Sequence, residues 1–121
     1  MSRKFGLIAA FLLAGATPAL AQEAVCTEPA PPTMVDGATA TQQQLLAVRT
    51  QVLDFISKSD VYQTCIASDL DAKKKAAGAT PLDPGVQQVA LAKVAANQAA
   101  KDKAAADLNT QIAAYRKAHP K

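Results

Sequence analysis

The sequence predicts an all-α protein: a long antiparallel two-helix hairpin of coiled-coil type, with an extended proline-rich N-terminal arm stapled to it by one disulfide. Three observations carry this prediction. Residues 40 to 77 contain neither proline nor glycine, and residues 84 to 118 are dominated by alanine, the best helix former. Only a short segment around Thr80-Pro81-Leu82-Asp83-Pro84 separates these stretches. Cys26 and Cys65 are the only cysteines in the 121 residues, and four of the residues between Cys26 and residue 40 are Pro29, Pro31, Pro32 and Gly37.

The first element is a secretory signal peptide over residues 1–21. Arg3 and Lys4 make a short positive start, Gly6 to Ala16 carries no charge and is mostly apolar, and Ala19-Leu20-Ala21 is a small-x-small cleavage site. The apolar run falls short of the ~20 residues needed to span a bilayer. Val25 before Cys26 argues against a lipid-modified cysteine, since diacylation favours a small residue there. The expected product is exported, periplasmic or secreted, forms one domain of about 100 residues, and is not inserted stably in a membrane. Without Arg3 and Lys4, 11 basic residues face 10 acidic ones, a net of +1. That balance leaves no electrostatic footprint for nucleic acid.

Residues 22–39 form the arm, because proline fixes φ and biases its predecessor toward extended backbone. Helix one is expected over 40–78. Thr39-x-x-Gln42 and Thr41-x-x-Gln44 both match the capping box. Leu45, Val48, Val52, Phe55, Ser59, Tyr62, Ile66 and Asp69 step by threes and fours, which places them on one face. Asp54/Lys58, Asp69/Lys73 and Asp71/Lys75 are favourably oriented i,i+4 pairs. Lys73-Lys74-Lys75 suits a helix C-terminus, and Gly78 suits the residue beyond it.

Residues 79–83 make the turn. Asp83 is an N-cap and Pro84 the first residue of helix two, expected over 84–118. Its apolar line is Val86, Ala90, Val94, Ala104, Leu108, Ile112 and Tyr115. Matched lengths and a short turn imply antiparallel pairing, with Val94 near Ile66 and Leu70, Leu108 near Phe55, and Tyr115 near Leu45 and Val48.

An even cysteine count in an exported chain implies a Cys26–Cys65 disulfide, with an intermolecular bridge as the alternative. The arm can reach ~43 Å as polyproline, and helix one rises ~38 Å from residue 40 to Cys65. This match predicts that the arm lies along helix one, with Val25, Pro29, Pro32, Met34 and Val35 covering a weaker stripe of Leu46, Leu53 and Val61. A loose arm tethered only at Cys65 is the alternative.

No catalytic or cofactor motif is present, and the single His119 lies near the C-terminus, so neither an enzyme nor a bound cofactor or metal is expected. Ser59, Asn97 and Lys101 interrupt the apolar seam. They read either as a polar layer that fixes register or as a notch for a small ligand.

The first half resembles a group of small exported bacterial proteins with no known activity. The pattern is a cysteine, a proline-rich arm, Asp-Gly, Ala-Thr, and a helix bearing Tyr-x-x-Cys: here Cys26, Pro29, Pro32, Asp36-Gly37, Ala40-Thr41 and Tyr62-Gln63-Thr64-Cys65. The resemblance implies export and the cysteine pair. The expected function is a non-enzymatic structural or protein-interaction role, through an unknown protein partner or a homodimer. The alternatives are a small-ligand binding module and a holdase-like periplasmic chaperone.

Overall fold

The computed structural model describes residues 25–121; the expected signal peptide and its cleavage site lie outside the described residues. Among the described residues there are two helices and no strand: α1 spans Gln42–Ala77 and α2 spans Pro84–Ala118. Of the two Thr-x-x-Gln matches, the chain uses the second. Gln44 N–H donates to Thr41 Oγ1 at 3.2 Å, and Thr41 N–H donates to Gln44 Oε1 at 2.9 Å. Thr39 is drawn instead into a turn that precedes the helix. There Asp36 accepts from the Ala38, Thr39 and Ala40 amides.

α1 ends where Gly78 takes a φ of 59°, which a residue with a Cβ adopts only with strain. Its amide donates back to the Lys75 carbonyl at 3.2 Å. α2 begins as expected from its residues: the Asp83 carboxylate accepts from Gly85 N–H at 2.8 Å, directly ahead of Pro84. The helices are therefore ~54 Å and ~52 Å long and run back to back.

Their contact surface is the expected seam. Val48, Val52 and Phe55 of α1 pack with Ala104 and Leu108 of α2 in one buried cluster, and Tyr62 and Ile66 are buried further along α1. Every apolar residue that buries fully in α1 lies at or before Ile66, and every one in α2 at or after Ala104. The core therefore occupies the half of the hairpin next to the chain termini. Beyond Ile66 in α1 and ahead of Asn97 in α2, toward the turn, neither helix buries a residue fully.

The arm explains this asymmetry. Cys26 and Cys65 are bonded, with their Cα atoms 5.7 Å apart. From there the arm runs back toward the start of α1: Val25 and Pro29 share an open cleft with Lys58, Val61 and Tyr62, but the stripe expected under the arm stays largely in water. Leu46 and Leu53 are each 53% exposed, Val61 is 69% exposed, and Val25 is 90% exposed. Instead, Met34 and Val35 pack against the core cluster, and Pro31, Pro32 and Met34 lie against Ala100, Lys103, Ala104 and Asp107 of α2.

The expectation that the arm covers Leu46, Leu53 and Val61 on helix one is thus corrected: past Pro29 it lies in the groove between the two helices. A groove offers an extended chain two walls, so each apolar residue loses more surface to water than on a single convex helix. The near end of the arm is anchored to α2. Gly37 N–H donates to Gln111 Oε1 at 2.8 Å. A Cβ on Gly37 would stand 1.9 Å from the Gln111 carbonyl oxygen, so glycine is needed there for close backbone approach.

Candidate interaction surface

The polar residues picked out from the sequence come together, and they form a layer. Ser59 and Asn97 are fully buried, and Asn97 Nδ2 donates to Ser59 Oγ at 3.2 Å. Gln63 Nε2 donates to Asn97 Oδ1 at 2.9 Å from the rim. Lys101 lies on the same side of α2 and pairs its ammonium with Asp60 of α1. Among the described residues, no buried side-chain nitrogen or oxygen lacks a partner.

A ligand entering at Ser59 and Asn97 would have to displace a buried hydrogen bond between them. Five open clefts of the surface are lined by neither Ser59, Asn97 nor Lys101, and Gln63 at the rim borders one of them. The arrangement suits a register device. Sliding one helix past the other would leave an amide and a hydroxyl buried without partners, at ~1–3 kcal/mol each.

Tyr62, one turn further along, is buried beside the start of the arm. Burial pushes its phenol above the usual tyrosine range, and the negative charge of Glu28 adds to the shift. Among the described residues, no three His, Cys, Asp or Glu side chains cluster as metal ligands would.

Beyond the disulfide the molecule changes. Two open apolar clefts flank the turn half of the hairpin. One, of about 390 Å³, is lined by Ile66, Leu70, Val86, Val89 and Ala90, with Asp69, Lys73, Asp83 and Lys93 around it. The other, of about 400 Å³, shares Ile66, Leu70 and Ala90 and adds Ala67, Leu91 and Val94. Val89 and Leu91 are each 56% exposed. The rim carries both signs of charge, and Asp69 and Lys73 pair with each other at 2.9 Å.

Val86, Ala90 and Val94 belong to the seam legible in the sequence. Val89 and Leu91 do not. They are apolar residues that fall on either side of the seam row, and that excess is the one local signal that could have marked this end of α2 as a surface. At the opposite end, on the side away from the arm, Leu45, Leu46, Ile112 and Tyr115 line a smaller cleft beside Arg49 and Arg116.

No family model, no curated protein and no solved structure matches this chain. No described helix is long and apolar enough to cross a membrane.

Proposed function

We propose that this chain is an exported, periplasmic, non-enzymatic hairpin protein that works through protein–protein contact, and that the half beyond the disulfide makes that contact. One observation carries the reading: a disulfide-pinned arm gives the other half a third layer, whereas no arm residue lines either apolar cleft of the turn half, where Val89 and Leu91 stay exposed. Clefts rimmed by polar residues on an otherwise small core are the usual mark of an interaction surface. Export is supported by the disulfide, which persists in oxidising compartments. The three-part N-terminus and the cysteine pattern shared with small exported bacterial proteins add to that support.

The test is site-specific photo-crosslinking in cells that export the full chain. The photoreactive residue is placed at position 89, at position 91, or at position 57 on the outer side of α1 as a control. Discrete adducts from 89 and 91 but not from 57 are expected. The absolute mass of the oxidised protein in solution tells a partner of another kind from a second copy. A strict monomer that gives no adduct at 89 or 91 would remove the proposal. A holdase draws on the same exposed surface and would give a smear of many adducts where a dedicated partner gives one.

A further inference from the structure

We infer that the cleft on the arm's side of the turn half is a docking groove for an extended, proline- and aliphatic-rich segment of a partner protein. This rests on the interaction role proposed above and names the partner's chemistry.

The groove already has one occupant. In the core half, the seam between α1 and α2 is filled by a segment with no helix and no strand ladder, the arm itself. Pro29, Pro32, Met34 and Val35 are half-buried in it. The disulfide tethers one end of this segment and Gly37 N–H anchors the other to α2; between the two tethers the segment lies in apolar contact with the seam. A polyproline-like chain suits such a site because it gives up little conformational freedom on binding.

The groove does not stop where the arm does. Cys65, Asp69 and Lys73 form one i,i+4 row on α1. Val89, Lys93, Ala100 and Ala104 share one side of α2 by the same spacing. The arm lies at Cys65, Ala100 and Ala104; the open cleft lies at Asp69, Lys73, Val89 and Lys93. The same two helix sides therefore present first a filled and then an unfilled stretch of one groove.

From Ile66 to Lys73 the helix rises ~10 Å, the reach of about three residues of polyproline chain. The volume, about 390 Å³, falls within the ~300–1,000 Å³ usual for ligand pockets. With Asp69 and Lys73 paired to each other and charges of both signs around the rim, the groove selects neither an acidic nor a basic peptide. Apolar content and extended shape are what remain to be recognised.

The test uses the exported chain with its disulfide intact and a synthetic peptide, Pro-Ala-Pro-Pro-Thr-Met-Val, that copies residues 29–35. Backbone amide shifts are followed during titration. Saturable shifts are expected at Asp69, Val86, Val89 and Lys93, with Leu91 and Val94 on the other side unmoved. Val89→Asp, at an exposed position that leaves the fold intact, should weaken binding about tenfold, while Leu91→Asp should not.

Absence of saturable shifts up to millimolar peptide overturns the inference. So does equal binding of a Gly-Ser peptide of the same length, or shifts centred on Gly37 and Gln111, which would mean displacement of the protein's own arm. Shifts of the same amides on simple dilution would make a second copy the occupant. That result overturns the peptide inference and leaves the interaction role standing. Peptide binding without any crosslinked partner in cells would do the reverse.

Discussion

Asn97 and Ser59 are buried polar side chains bonded to each other across the seam. Asn97→Ala leaves the buried Ser59 hydroxyl without its partner, takes one of two acceptors from the Gln63 amide and opens a void, and should cost ~2–3 kcal/mol. The denaturation midpoint in urea should fall with its slope unchanged. The double variant Ser59→Ala, Asn97→Leu removes the layer as a pair and should recover most of that loss, since replacing both partners is nearly neutral. Its amide spectrum should broaden, because the seam would then be apolar and tolerant of sliding; a sharp single-state spectrum would count against the register role. Gly37→Ala forces the Gln111 backbone away and should cost ~1–3 kcal/mol. Faster hydrogen exchange at position 37, ahead of any change in α1, is the expected sign of a lifted arm. Tyr62 sets a pH dependence of definite sign. Its folded phenol titrates above the unfolded one, so its contribution is complete below about pH 10 and is lost as pH rises through the folded value. Tyr62→Phe should flatten that alkaline fall in stability.

At the scale of elements, the arm is the piece whose stability depends on a covalent bond. The disulfide closes a loop with a sequence separation of 39, worth ~4 kcal/mol in the chain-entropy model. A domain of this size has only ~5–15 kcal/mol in total. Cys26→Ser with Cys65→Ser should therefore lower the urea midpoint more than any single cap. Thr41→Ala, which removes the side-chain half of the capping box, should cost ~1 kcal/mol by the same measurement. The ion pairs Lys58–Asp54 and Lys103–Asp107 are solvated i,i+4 pairs along the outer surfaces and add little.

For the whole molecule, the uneven core predicts uneven opening. Native-state hydrogen exchange should be slowest between Val48 and Ile66 and between Asn97 and Leu108, where side chains are buried under the arm. Amides between Ala67 and Ala96 should exchange faster, by opening of the turn half alone. Equal protection along both helices would mean that the turn half is held by something other than the contacts described. A partner seated in either cleft should raise protection there first.

Most of the fold was legible in the residues because helices are written locally. The Thr41 box, Gly78, Asp83-Pro84 and the three-four spacing from Leu45 to Ile66 act within a few residues of where they stand, and the disulfide followed from a count of two. The place of Ser59, Asn97 and Lys101 at one level was legible too, since antiparallel pairing from a short turn sets the register. What the sequence could not determine was the face that the arm covers. Its reach along α1 was a matter of length, and length is the same for a chain lying on one helix or between two. Only the tertiary structure decided for the groove, because burial against two walls and the close approach of Gly37 to Gln111 exist only once α2 has folded back. The same decision left Leu46, Leu53 and Val61 in water and the turn half open. The surface proposed for a partner is thus a consequence of where the extended residues 25–36 found the most apolar area to cover.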